Sequence, residues 1–532
     1  MTTKDIPKHI LPVAGIPLIV RLLESLSVFP QIVIAVAGND TKTLTTLLET
    51  KDSAGKAVVS LVENSEDHQS MTTSTTAKSS INGTSYWELK SEMARGQKIF
   101  IVKLSDDCYG SLDALRVIEG TKLIDPETRI VMFPGDLVIL KKNIKSLNAL
   151  IRPEHSKNIG CTAILVDALE QDEHGLPLKE SAKAKKGFLS RDKEDIEYIA
   201  LSFPESRSLS SSWLDNSSDR NKSSLPRIVL KKSKLDIEDD EDMTGSTAKL
   251  VIPKSRLRGE NGGEQLVIRT EWSDVHVYSL APWVRQLIVA RTKNFSSIQE
   301  DLIPLLISRQ FRGKRATFGK SALASLANLN QSGDSVDSSS SSTPDNEDSK
   351  NDDASNKLAD TMDDEPYSVS AVVLPAKTML RANTVPAYLF ACKEAVTNSG
   401  SDKNSELRLP KDSKRNGKFQ TLTLDGSKLG SKISMKSSTV GRSCTLGDKC
   451  RLNNVVILDN VTIGEQCSLQ NTIIGFGAKL GNNCSLNDCQ VGPGVEIPPG
   501  TKEKGEPFVA GDIMDTHDDV IDSELNKRMN AI

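Results

Sequence analysis

Cysteine and histidine are the residue types in this chain best able to hold a metal or act as nucleophiles. The chain has eight of the first and six of the second. Five thiols, Cys444, Cys450, Cys467, Cys484 and Cys489, crowd into one C-terminal stretch, and Cys450, Cys467 and Cys484 are spaced seventeen apart. A zinc site needs paired C-x-x-C spacing or nearby histidines. No C-x-x-C occurs, and no histidine lies between Phe311 and Thr516. These thiols therefore read as small buried hydrophobes. Together with Cys108, Cys161 and Cys392 they make no disulfide framework, which suits a reducing compartment. Three other candidates also reduce to ordinary roles. Residues 313–321, GKRATFGKS, imitate a phosphate-binding loop, but five residues rather than four separate the glycines and no strand precedes them. The acidic run IEDDEDM at 237–243 reads as a solvated loop, and the cluster Arg309, Arg312, Lys314 and Arg315 as a solvated linker.

The element that must carry the C-terminal thiols is visible as an aliphatic ratchet. Val440, Leu446, Leu452, Ile457, Ile463, Leu469, Ile474, Leu480, Leu486, Val491 and Ile497 follow one another in steps of 6-6-5. A glycine follows many stops: Gly441, Gly447, Gly464, Gly475, Gly481 and Gly492. The pattern resembles the hexapeptide repeat of a left-handed parallel β-helix, in which three short strands close one triangular coil. Each stop is expected to point inward and form the core. Four residues after a stop the side chain is often small, as at Cys444, Cys450, Cys467, Ala478 and Cys484, although Val456 and Ile473 break the rule. Cys450, Cys467 and Cys484 are expected to stack as one column. The missing histidines also argue against the β-helical carbonic anhydrases and acyltransferases, which need them.

Composition sets the remaining bounds. With 532 residues the chain is too long for one core, so two or three domains are expected. A net charge of −4 and aromatics at 4% give neither a basic footprint nor stacking platforms for nucleic acid. The start, MTTKDIPKHILPV, lacks a signal peptide's apolar core, and no run of eighteen apolar residues predicts a membrane span. Toward the front, apolar runs at 31–37 (QIVIAVA), 99–102, 130–133 and 161–166 alternate with helical patterns at 17–29 and 111–120. That order predicts a doubly wound, Rossmann-like α/β sheet. A short amphipathic helix at 300–311 closes it. The expected layout is an α/β domain over 1–320 with polar insertions near 65–85 and 206–224. A disordered acidic and Ser-rich linker follows at 321–366, centred on 332–364. Then come a connecting segment at 367–421, the β-helix at 422–500 and a charged tail at 501–532.

Local motifs sharpen the front domain. Pro7-Lys8-His9-Ile10-Leu11-Pro12-Val13 followed by Ile16-Pro17-Leu18-Ile19 resembles a segment of the sugar-1-phosphate nucleotidyltransferases. Gly110-Ser111-Leu112-Asp113-Ala114-Leu115 resembles their base-contacting turn, and Gly135-Asp136 resembles the pair whose carboxylate holds Mg²⁺. The resemblance implies that Lys8 stands where a lysine stabilises charge on the transferring phosphoryl group. Two departures weigh against activity. The glycine-rich loop that precedes this lysine in active members is absent. Asn383, in Leu380-Arg381-Ala382-Asn383-Thr384, stands where a second metal aspartate is expected, and an amide carries no charge. The implied reading is that Lys8 and Asp136 are relics and that Lys8, Gly110, Ser111 and Asp136 outline a vestigial nucleotide pocket. No catalytic residue, no metal and no cofactor are expected.

A narrower resemblance rests on Asp274, Val275-His276-Val277-Tyr278, Ser297-Ile298, Leu302-Ile303-Pro304, Gln310-Phe311 and Arg381-Ala382-Asn383-Thr384. Together with the β-helix these resemble the gamma-type subunits of eukaryotic translation initiation factor two-B, part of a guanine nucleotide exchange factor. The epsilon type adds a large helical-repeat domain after the β-helix. Here only about thirty residues follow, which favours gamma. The resemblance implies a non-enzymatic, cytosolic subunit. Its partners would be the epsilon subunit, the alpha, beta and delta subunits, and the substrate initiation factor two, with no direct nucleic acid and no membrane. The alternative is an active sugar-1-phosphate nucleotidyltransferase, of GDP-mannose or UDP-sugar type, with a truncated N-terminus.

Overall fold

Three strands of two or three residues make one coil of a parallel prism, and the next coil lies seventeen residues on. Thr421–Thr423, Lys428–Leu429 and Ser434–Lys436 form the first coil of this computed structural model. Leu422 pairs with Thr439, Leu429 with Leu446 and Met435 with Leu452, all in parallel. The register repeats until Val491 pairs with Phe508. Three flat sheets of seven, five and five strands result. Lys414–Asn416 folds back antiparallel on the first of them. The β-helix thus runs to Phe508, past the boundary expected at 500, and the connecting segment ends earlier than 421. The described residues are 8–37, 60–61, 86–90, 97–105, 108–140, 159–167, 196–203, 225–235, 237, 252, 265–290, 295–310, 367–398 and 409–509. The polar insertions, the loop-like 313–321 stretch, the linker, the acidic run beyond Ile237 and the tail beyond 509 lie outside them.

All eleven stops are buried, none more than 3% exposed, and they share one core with the cysteines. Side chains alternate along a strand, so one inward residue per strand suffices to fill the prism. The small-residue rule needs a different origin. Counted back two residues from each stop, the buried positions are Ser438, Cys444, Cys450, Val455, Val461, Cys467, Thr472, Ala478, Cys484, Cys489 and Val495. Val456 and Ile473 only seemed exceptions because the step before their next stop is five. They leave the prism on its outer side and are buried against another cluster. Cys450, Cys467 and Cys484 do stack. Their Sγ atoms donate to the carbonyls of Gly464, Gly481 and Pro498 in the next coil, at 3.1, 3.2 and 3.3 Å.

The glycines after the stops have a steric cause. A Cβ on Gly464 would lie 2.4 Å from Asn482 Oδ1 and 2.7 Å from Asn482 N in the coil above. Left-handed backbone falls elsewhere, at corners such as Asn454, Asn471 and Asp488, with φ of 55°, 48° and 55°. Their side chains form a ladder: Asn454 Nδ2 donates to Asn471 Oδ1 at 3.0 Å, and Asn471 Nδ2 to Asp488 Oδ1 at 2.9 Å.

In the front half the expected strands and helices form, but their pairing differs from a single doubly wound sheet. One sheet runs Gln265–Arg269, Glu197–Phe203, Arg227–Ser233, Ser368–Leu374, Ile159–Asp167, Trp272–Leu280, Ile130–Met132. Only Ser368–Leu374 with Ile159–Asp167 is parallel within it. A second sheet holds Gln31–Ala37 parallel to Lys98–Leu104, continued by antiparallel Tyr86–Lys90 and Ser60–Leu61. Burial on both faces explains why these strands read as parallel. Cys161, Ala163 and Leu165 face a cluster with the 282–309 helices, while Ile164 and Val166 face Leu22 and Leu26. Apolar runs signal two-sided burial, not strand direction. The segment expected to connect domains is also corrected: Ser368–Leu374 is an interior strand, joined to Val385–Asn398, a helix packed between front and prism.

Candidate functional site

Asp136 sits just before the strand Leu137–Ile139, 7% exposed, where the chain leaves the 130–132 strand. Both of its carboxylate oxygens are taken. Arg381 Nε donates to Oδ1 at 3.0 Å and Nη2 to Oδ2 at 2.9 Å, a bidentate pair held by a planar fork. The two elements are also tied by backbone, since Leu137 pairs with Arg381 and Ala382 N donates to Asp136 O at 2.8 Å. The third nitrogen, Nη1, lies 2.7 Å from His276 Nδ1. A guanidinium only donates, so Nδ1 accepts and the imidazole is neutral. Burial first, and the neighbouring Arg381 with it, push the His276 pKa down to about 4.

His276 reaches this place because its strand bulges. Asp274 pairs with Leu165 and Tyr278 with Ala163, so the strand carries two extra residues between these pairs, and His276 takes φ 58°. Asp274 Oδ1 caps the bulge by accepting from His276 N at 2.8 Å, and Oδ2 accepts from Tyr278 Oη at 2.6 Å. On the inner side Lys231 Nζ lies 2.7 Å from Asp274 Oδ2 and 3.1 Å from Glu197 Oε1. Burial favours the neutral acid at Asp274, but Lys231 outweighs it and holds the carboxyl below its usual range. Lys231, for the same reason, stays charged despite burial, while burial raises Glu197.

Lys8 opens a short 3-10 turn, Lys8–Ile10, and a Cβ on Gly135 would lie 3.4 Å from His9 Cβ in that turn. Gly110 and Ser111 are engaged elsewhere. They open the helix Ser111–Gly120, whose amino end meets residues 296–298. Leu112 N donates to Ser296 O at 2.8 Å, Ile298 N donates to Ser111 Oγ at 2.9 Å, and a Cβ on Gly110 would sit 2.2 Å from Ser296 O. Asp113 Oδ2 accepts from Gly110 N at 3.2 Å. Backbone that could cradle a base is thus bonded to the chain itself. Of the four residues expected to outline a pocket, Asp136 is bonded to Arg381, while Gly110 and Ser111 lie under the 296–298 strap.

No local motif marks Arg381, Lys231 or Glu197 as a site residue. Lys231 left only a weak signal, a lysine in the apolar strand RIVLKKS. The opening motif also has a second role. Leu11, Val13, Ala14 and Leu18 pack with Leu422, Leu424, Val456 and Ile473, Tyr388 Oη donates to Pro12 O at 2.6 Å, and Arg21 donates twice to Val13 O. Gly15, at φ 78°, has Leu424 Cδ1 2.6 Å from the place of a Cβ. The front domain is keyed to the prism through this segment. Among the described residues no group of three or more His, Cys, Asp or Glu is placed to hold a metal, and no helix is long and apolar enough to cross a membrane.

No curated protein matches the chain. Residues 404–502 match the family model described as the EIF2B subunit epsilon LbH domain. The prism is thus similar to the left-handed β-helix domain of the EIF2B epsilon subunit.

Proposed function

We propose that this chain is a non-catalytic, gamma-type subunit of the guanine nucleotide exchange factor for initiation factor two. In this reading it works in the cytosol, pairs with an epsilon subunit, joins the alpha, beta and delta subunits and helps bind initiation factor two. The observation that carries the reading is the EIF2B-type β-helix. The choice of gamma rests on the Arg381, His276, Tyr278 and Gln310 motifs of the front domain. These side chains brace the fold: Gln310 Nε2 donates to Ile228 O at 2.6 Å and its Oε1 accepts from Val369 N at 2.9 Å. That the front domain does no chemistry is supported by Asp136, whose two oxygens are already neutralised by Arg381. Exchange makes and breaks no covalent bond. It needs only different affinities for the nucleotide states of the partner.

The test is affinity capture of the tagged chain from its own cells, followed by GDP release from initiation factor two. Recovery of epsilon and the other subunits, with faster GDP release by the recovered complex than by one lacking this chain, is expected. If purified protein instead turns over sugar 1-phosphate and nucleoside triphosphate, the nucleotidyltransferase alternative is correct. Capture of another EIF2B-like assembly in which this chain takes the epsilon position would overturn the choice of gamma.

A further inference from the structure

We propose that the first coil of the β-helix is a docking edge for an acidic, extended segment of a partner protein, which adds as a strand beneath Lys428–Leu429. The proposal rests on the geometry of this coil alone and goes beyond the exchange-factor reading. Among the described residues, Lys428–Leu429 and Ser434–Lys436 each begin their sheet and pair only with the coil above. On the third face the corresponding strand is already covered by Lys414–Asn416. Lys428 N and Gly430 N donate upward to Cys444 O and Leu446 O, both at 2.8 Å. Donors alternate along a strand, so the N–H and C=O of Leu429 point the other way, out of the prism.

Leu429 is the inward stop of its strand, yet it is 44% exposed, whereas Leu446, Ile463, Leu480 and Ile497 above it are at most 3% exposed. Among the described residues no coil lies beneath it. Charge then selects what can lie there. Residues 414–436 carry six cations (Lys414, Arg415, Lys418, Lys428, Lys432 and Lys436) and one carboxylate, Asp425. Lys428, Lys432 and Lys436 are all exposed. Lysines along an edge repel a second copy of the same edge. They attract an acidic strand. Nucleic acid would satisfy the charge but neither the outward peptide groups of Leu429 nor its side chain, whereas an added strand satisfies all three. The fitting pattern places an acidic residue under Lys428, an apolar one under Leu429, and further acidic residues round the corner toward Lys432 and Lys436.

The full-length chain is titrated by fluorescence anisotropy against a labelled peptide of alternating Glu and Val. The expected result is saturable binding that weakens as salt rises. The Lys428→Glu/Lys432→Glu/Lys436→Glu variant, and separately Leu429→Glu, are expected to weaken it at least about tenfold, since each alters complementary charge or the apolar contact. All four side chains are exposed, so thermal unfolding of the variants is expected to match the parent. A Lys–Val peptide and a peptide N-methylated on alternate amides are expected to bind far more weakly. Equal binding by parent and triple variant, equal binding of the N-methylated peptide, or binding of poly-uridylate RNA in preference to the acidic peptide would each overturn the proposal.

Discussion

The β-helix and the Asp136 neighbourhood are built by opposite rules. In the prism, a residue's neighbours are the residues seventeen before and seventeen after it, so Leu452 meets Leu469 and Leu469 meets Leu486. Around Asp136 the partners are 140 and 245 positions away, at His276 and Arg381, and only the complete sheet brings them together. A repeat spreads its stability over many similar contacts. A charged cluster concentrates it in a few bonds that cannot be replaced. The contrast makes distinct demands on substitution, and four changes probe it in order of effect.

The largest loss is expected inside the prism when a charge enters it. Leu469 is 1% exposed and surrounded by other stops. Leu469→Asp buries an unpaired carboxylate and removes packing at once, at a cost of about 5 kcal/mol or more. Because Leu469 packs within the prism core and not in the cluster shared with the front domain, the damage is expected to separate the urea unfolding of the prism from that of the front domain. A single cooperative transition in the variant would mean that the two regions unfold as one, through the Gly15 and Tyr388 junction.

Arg381→Ala comes next. It leaves the Asp136 carboxylate buried and unpartnered, and about 3 kcal/mol of stability is expected to go with it. Removing Asp136 as well is expected to restore much of that loss, because the cost lies in the uncompensated charge. If the single change proves silent in thermal unfolding, the site is not held by this pair and the contrast with the prism fails.

This contrast also sets what was legible in the sequence. The ratchet, the eleven inward stops and the cysteine column followed from spacing alone, because each coil restates the rule. Asp136 is marked by the resemblance of Gly135-Asp136 to a metal-binding pair, but nothing marks Arg381 as its partner, since no local pattern links residues so far apart. Strand pairing in the front half is legible only in part: 31–37 pairs with 98–104 in parallel, but most pairs of the larger sheet are antiparallel, because apolar runs report burial while pairing is decided by the rest of the chain. Likewise, Gly110 and Ser111 looked available because their motif carries no trace of the 296–298 strap that covers them.

Acid is expected to act on the front domain before the prism. Above pH 6.5 His276 is neutral in the folded and unfolded chain, and its contribution is complete. As pH falls from 6.5 toward about 4, the unfolded chain binds a proton that the folded one refuses, so stability drops. The loss is on the order of 2 to 3 kcal/mol for a shift of this size. His276→Asn keeps a residue that tolerates the left-handed bulge. The difference between parent and variant stability across that window is the measurement. Parallel curves would show that His276 does not titrate with folding.

The smallest effect tests whether the prism corners depend on backbone or on side chains. Asn471 has φ 48° and forms the middle rung of the Asn454–Asn471–Asp488 ladder. Asn471→Ala meets both penalties, a left-handed Cβ and two lost bonds, and about 1 to 2 kcal/mol is expected. Asn471→Gly relieves the backbone and loses only the ladder, so it separates the two. The next residue of the same corner column, Gly505 at φ 79°, already does without a side chain, which argues that backbone freedom is the larger part. Glycine at 471 is therefore expected to cost less than alanine in thermal unfolding. Equal losses in the two variants would mean that the ladder, which both lack, accounts for the effect and that the left-handed backbone adds nothing.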